Sequence, residues 1–204
     1  MRVLFPRLNL KIDMNFQEKV REFQIASGQP VSDVPYTLTK EELDFRDTLL
    51  REEIRELQYA IVDNNRVEIL DALCDIKYVN DGTANMMGVK LDDSVGTPAE
   101  STYELSLIPT ESVRSINASV YFLAGVHGFT REVFEVALNR VHESNMSKFC
   151  NDVKTAERTK EFYKKQGIDT IVEPREKKFV IYRSEDGKVL KSVDYYPVKL
   201  EDLV

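Results

Sequence analysis

The sequence predicts a mainly α protein, an antiparallel bundle of four to five helices with a small C-terminal β-hairpin as an appendage. Three observations predict it. Apolar residues recur three and four apart over long stretches between residues 16 and 141, the spacing that lines one face of a helix. Asn64-Asn65 alone separates two such stretches, and so short a turn favours neighbouring antiparallel helices. Near the C-terminus, Lys178-Phe-Val-Ile-Tyr-Arg183 and Lys188-Val-Leu-Lys-Ser-Val193 flank a Ser-Glu-Asp-Gly turn, the composition of a hairpin.

The elements follow in order. Asn15-Phe-Gln-Glu18 reads as a capping box, after which Phe16, Val20 and Phe23 keep helical spacing until Gly28. Pro30 and Pro35 exclude a continuous helix over 28–38. Thr39-Lys-Glu-Glu42 is a second capping box, opening a long helix to about Asp63 with the stripe Leu43, Leu50, Ile54, Leu57 and Ile61. A third helix runs from about Arg66 to Met87, ended by Gly88, on Val67, Leu70, Leu73, Cys74 and Ile76. Residues 89–112, rich in Ser, Thr, Asp and Pro, read as a loop or insertion. Helical spacing resumes in Val113, Ile116, Val120 and Leu123, and again in Phe134, Leu138 and Val141. A short helix around Thr155 to Gln166, closed by Gly167, precedes the hairpin. The division expected is a bundle over 1–147 and an extension over 148–204.

Composition excludes several classes. A chain of 204 residues, 42% hydrophobic, can bury a sizeable core. No stretch approaches the roughly 20 apolar residues of a membrane span, and Met1 to Ile12 lacks the apolar run of a signal peptide, so no membrane partner and a cytoplasmic location are expected. Cys74 and Cys150 form no CxxC or Cys/His pattern, which points away from zinc and disulfides and places Cys74 in the core. A net charge of −7 argues against a dedicated nucleic-acid binder. The charge is uneven: 15 basic and 24 acidic residues in 1–147, against 13 and 9 in 148–199.

The acidic excess is patterned. The second helix carries Glu52, Glu53 and Glu56, and the third carries Glu68, Asp71 and Asp75. Helical residues three or four apart are neighbours, so Glu53 lies beside Glu56, Glu68 beside Asp71, and Asp71 beside Asp75. Stacked carboxylates repel unless a cation lies between them, and an oxygen-only donor set favours Mg²⁺, with Mn²⁺ as a substitute. Mg²⁺ takes phosphate oxygens as further ligands, so the substrate expected is a phosphate ester or anhydride. Two plainer readings stand beside this one. Acidic helix faces also serve simply as solvated surface, and Glu68 closes an Asn65-Arg-Val-Glu68 capping box. A di-iron bundle needs Glu-x-x-His, which neither His127 nor His142 supplies.

At Glu52-Glu53-x-x-Glu56 followed by Glu68-x-x-Asp71 the sequence resembles the MazG-like all-α NTP pyrophosphohydrolases, a superfamily that includes phosphoribosyl-ATP pyrophosphohydrolase-like members. Further blocks resemble a bacterial and phage subgroup: Phe16 to Phe23, Gly28-Gln-Pro-Val31, Leu70 to Val79, His142-Glu-Ser-Asn-Met-Ser-Lys148 and Asp186-Gly-Lys-Val-Leu-Lys191. The insertion around 89–125 and the stretch 149–180 depart from the compact subgroup.

The resemblance implies hydrolysis of a nucleoside triphosphate between its α and β phosphates, giving monophosphate and pyrophosphate, by a homodimer or homotetramer. It implies Glu53, Glu56 and Asp71 as metal ligands. The family's Glu-x-x-Asp maps to Glu68 and Asp71, or its Asp to Asp75 with Ala72 in the Glu position. Glu52 or Glu53 is the candidate base for an attacking water. Arg46, Lys148, Lys188 and Lys191 are the candidate partners of the triphosphate charge. Tyr195 is a candidate for stacking on a base or ribose, although Tyr195-Tyr-Pro197 reads more readily as the anchor of a tail to the core. The alternative function is a helical module that senses a nucleotide without turning it over.

Overall fold

The computed structural model describes residues 15–92, 96–175 and 178–204; Met1 to Ile12 and part of the 89–112 loop lie outside them. Helix α1 (Phe16–Ala26) starts where the Asn15 side chain accepts the Gln17 N–H at 3.1 Å, an N-cap bond to the second helical residue in place of the box with Glu18 expected there. The box on α2 (Lys40–Val62) forms in both directions, Glu42 N–H to Thr39 Oγ1 at 3.2 Å and Thr39 N–H to Glu42 Oε2 at 2.8 Å. The chain reverses through Asn64 at φ 49°, a left-handed conformation that Asn tolerates, into α3 (Arg66–Met86).

Helix α3 is the hub, packed against α1, α2, α5 (Val113–Val126) and α6 (Arg131–Met146). Leu70, Leu73, Cys74 and Ile76 are fully buried against Leu50, Ile54 and Leu57 of α2, Ile116 and Val120 of α5, and Phe134, Ala137 and Leu138 of α6. Burial continues along α3 past its apolar half. Lys77 and Asp81 form an ion pair, with the ammonium 2.6 and 2.5 Å from the two carboxylate oxygens. Asn85 donates to Gln24 Oε1 at 2.9 Å, and Gln24 returns a bond to the Gly82 carbonyl at 3.0 Å. The proline-bearing segment after α1 then closes the helix end: Ser32 N–H reaches Asn85 O and Tyr36 N–H reaches Met87 O, both at 2.9 Å. Gly88 at φ 64° passes so close to this segment that a Cβ would sit 2.1 Å from Val34 O.

Two expectations change. The 89–112 stretch contains a one-turn helix, α4 (Thr102–Leu105), because Ser101 caps it through Glu104 N–H at 3.2 Å and Leu105 is fully buried. Arg51 of α2 holds the following turn, donating to Ser106 O at 2.6 Å and Ile108 O at 2.8 Å. Polar composition concealed this packed turn. The hairpin also has a different partner. It pairs β1 (Thr170–Arg175) antiparallel to β2 (Lys178–Arg183), with Val172 opposite Ile181. The expected partner, residues 188–193, pairs with β2 in part, through an antiparallel bridge of Tyr182 with Val189 held by Arg183 N–H to Lys188 O at 2.8 Å and Leu190 N–H to Ile181 O at 2.7 Å. Pro174 falls within β1, where proline is tolerated because this is an edge strand.

Helix α7 (Val153–Lys165) covers the hairpin through a second small core of Cys150, Ala156, Ile181 and Leu190. The chain then returns to the bundle. Ser192 N–H bonds Lys148 O at 3.0 Å, Ser144 Oγ bonds Tyr196 O at 2.9 Å, and Leu200 is buried in the main core. Among the described residues no helix is long and apolar enough to cross a membrane.

Candidate functional site

Spacing on α2 turns Glu53 to the side of the Leu50, Ile54 and Leu57 stripe, and spacing on α3 does the same for Asp71 and Asp75 beside Leu70, Leu73 and Cys74. Because the two helices are antiparallel neighbours, these three carboxylates line one cavity of about 310 Å³. Its other walls come from distant parts of the chain. Phe23 belongs to α1, Tyr78 and Val79 to α3, Val141, Ser144 and Asn145 to α6, and Lys148 to the turn after α6. Tyr195 and Val198 of the returning tail complete it.

The electrostatics are those of carboxylates pressed together. Burial, then Glu56, Glu52 and Asp71, push Glu53 up to about 7. Burial, then Glu68 and Glu56, push Asp71 up to about 6. Burial, then Asp71 and Glu53, raise Asp75 well above the usual carboxylate range. Lys148 is the basic group lining the cavity; burial lowers its pKa although Asp75, Tyr195 and Glu53 oppose the shift. Its ammonium donates to Asn145 Oδ1 at 2.6 Å and stands 6.0 Å from the centre of the Phe23 ring.

The sequence candidates separate into groups. Glu53, Asp71, Asp75 and Lys148 share the cavity. Glu52, Glu56 and Glu68 are exposed at its edge, close enough to act on Glu53 or Asp71 through their charge. Glu68 also keeps its place at the helix start, where its N–H meets Asn65 Oδ1 at 3.3 Å. Lys191 is exposed with its ammonium 4.3 Å from the centre of the Tyr195 ring, which places it beside the cavity. Lys188 is exposed at the turn after β2, where its N–H bonds Asp186 Oδ1 at 3.1 Å, and it is not a cavity wall.

Arg46 is placed differently from its expected role. It is 4% exposed, and its guanidinium lies across Gly82, where a Cβ would come within 2.9 Å of Nη2. Nε donates to Thr83 Oγ1 at 3.0 Å and Nη2 to the Val79 carbonyl, so it joins α2 to α3. Burial lowers its pKa to about 10.

Tyr78 and Asn145 are wall residues that the sequence did not single out for chemistry. The signal available was the His142-x-x-Asn145-x-x-Lys148 spacing, which puts three polar groups on one side of the end of α6. Tyr195, read as a tail anchor, also faces the cavity.

All the acidic groups offer hard oxygen donors, which suits Mg²⁺ or Mn²⁺, and their raised pKa values are what a cation would relieve. The side chains stand within reach of one another's charge. Among the described residues, however, no three His, Cys, Asp or Glu groups converge into a ready-made ligand set.

Residues 11–97 match the profile of a protein family described as phosphoribosyl-ATP pyrophosphohydrolase, within the all-α superfamily expected from the sequence. The matched segment spans α1 to α3, and so includes every carboxylate of the cavity. The chain is also similar to an uncharacterized protein of Acanthamoeba polyphaga mimivirus, 28% identical over 240 aligned positions that cover 93% of this chain and 95% of the other. No solved structure gives a significant match. The family match supports a nucleotide pyrophosphohydrolase type of role in general, and with it a nucleotide substrate.

Proposed function

For a chain whose residues 11–97 match a nucleotide pyrophosphohydrolase family, we propose Mg²⁺-dependent hydrolysis of a nucleoside triphosphate between its α and β phosphates, releasing the monophosphate and pyrophosphate. One observation carries the reading: three carboxylates from α2 and α3 face a lysine and an aromatic wall across a single cavity. That is a place for a cation, for phosphate charge and for a ring.

Glu53, Glu56, Asp71 and Asp75 are the residues that would hold the cation. Bound there, Mg²⁺ would neutralise phosphate oxygens and make a water molecule more acidic. Glu53, pushed up to about 7, would hold the cation as a carboxylate, since ligating carboxylates are ionised. Glu52, exposed beside Glu53, then accepts the proton of the water attacking the α phosphorus. Lys148 binds a non-bridging phosphate oxygen, with Lys191 beside the Tyr195 ring as a second, outer cation. Val141 and Val198 keep that end of the cavity apolar, the surroundings in which a charged contact is strong.

The test is incubation of the full chain with a panel of ribo- and deoxyribonucleoside triphosphates, phosphoribosyl-ATP and Mg²⁺, with the products resolved. Monophosphate and pyrophosphate in equal amounts are expected, from an assembly that sediments as a homodimer or homotetramer. Monophosphate accompanied only by orthophosphate would sink the α–β cleavage. Tight nucleotide binding without products would instead favour a sensing module.

A further inference from the structure

Behind the cavity, His142 is buried with its ring at 25° to that of Tyr78 and the two centres 6.2 Å apart. Its Nδ1 is 3.2 Å from the Tyr78 hydroxyl. The opposite nitrogen, Nε2, faces Glu22 of α1 at 3.8 Å, longer than a direct hydrogen bond. Burial and the nearby Lys19 hold the ring well below the usual histidine range, at about 4, so it is neutral near pH 7. A neutral imidazole carries one N–H. With that hydrogen on the side of Glu22, Nδ1 accepts from the tyrosine hydroxyl.

Tyr78 is itself a wall of the cavity, and the Asn145 side chain interacts with its hydroxyl. Asn145 in turn accepts from the Lys148 ammonium at 2.6 Å. A line of polar contacts thus runs from the interior side of α6 to the cation that faces the carboxylates. An apolar side chain would fill the place of the imidazole, but it would leave a buried hydroxyl without its acceptor.

We propose that His142 is a positioning residue: it anchors the Tyr78 hydroxyl and, through Tyr78 and Asn145, holds the Lys148 ammonium toward the carboxylates, where it meets a substrate phosphate oxygen. The inference rests on the reading of the cavity as a nucleotide site. It assigns a task to the histidine of the His142 to Lys148 block that neither cation binding nor the attack of water requires.

The experiment compares His142→Leu, His142→Asn, Tyr78→Phe and the His142→Leu/Tyr78→Phe double variant, all in the full chain. The amide oxygen of Asn lies where Nδ1 was and accepts the same bond. Hydrolysis of nucleoside triphosphate with Mg²⁺ is expected to show KM about tenfold higher for His142→Leu and for Tyr78→Phe, the effect usual for losing a supporting hydrogen bond. The double variant should be no worse than either single one, and His142→Asn should lie near the wild type. Side-chain NMR signals of Lys148, recorded without nucleotide, should shift in the Leu and Phe variants and not in the Asn variant. An Asn variant as impaired as the Leu variant, effects that multiply in the double variant, or an unmoved Lys148 signal would each overturn the proposal. Tyr78→Phe removes a single oxygen and guards against a misfolded Leu variant. If no nucleotide is hydrolysed, the functional reading fails while the Lys148 signals still decide the positioning role.

Discussion

Replacing Glu53 by Gln should stabilise the cation-free protein at pH 8, and by only a fraction of that gain at pH 5. In the fold Glu53 titrates near 7, against 4.5 for an ordinary glutamate, because burial and then Glu56, Glu52 and Asp71 oppose its charge. At about 1.4 kcal/mol per pH unit the ionised form is disfavoured by about 3 kcal/mol, which solvent screening at a partly open site reduces to about 2. The sign follows from the order of titration. Below about 4.5 both states hold the proton and no penalty exists. Between about 4.5 and 7 the unfolded chain has lost the proton and the fold retains it, so stability falls as pH rises. Above 7 the loss is complete, and Asp71, raised to about 6, adds to it with the same sign. Gln has no charge to lose. Urea denaturation in chelator should therefore place the Gln variant about 1 M above the wild type at pH 8, for a slope of about 2 kcal/mol/M. Mg²⁺ should then raise the wild type more than the variant. Equal midpoints at pH 8, or the same gap at pH 5 as at pH 8, would refute the idea that the carboxylates repel in the fold.

Further outcomes follow from other parts of the molecule. Asp75→Ala should abolish Mg²⁺-dependent turnover because Asp75 lines the cavity, whereas Glu68→Ala, at the exposed helix start, should keep activity within about one order of magnitude; steady-state rates decide between the two registers of α3. Lys77→Met removes the cation facing the buried Asp81 carboxylate and should lose about 3–5 kcal/mol in denaturant unfolding; a loss below about 1 kcal/mol would show that the pair is dispensable. Gly88→Ala should lower stability by more than about 1 kcal/mol, since φ is 64° and the new Cβ would meet Val34 O at 2.1 Å; an unchanged unfolding midpoint would contradict the close approach.

Helices α1, α2 and α3 were legible in the sequence to within a residue or two. Their capping residues, apolar spacing and glycine stops are local signals that act within one or two turns. The pairing of Glu53 with Asp71 and Asp75 was legible for the same reason, because a short turn leaves two long helices little choice but to lie antiparallel. The hairpin was half legible: β2 and its short pairing with residues 188–190 were read, but the longer partner β1 was not, since strand pairing is a contact between segments.

Arg46 shows where local reading stops. A basic residue shortly before an acidic motif looks like a phosphate ligand, yet the absence of a side chain at Gly82, on another helix, opens the place that buries it. The sequence alone determined the helical class, the limits of the main helices and the acidic faces of α2 and α3. Only the tertiary structure decided that Phe23, Tyr78, Asn145, Lys148 and Tyr195 complete one cavity with those acids. Periodicity records which side of a helix is buried. Which residues more than a hundred positions apart come to share a cavity depends on how α6 and the returning tail pack, and no local pattern carries that information.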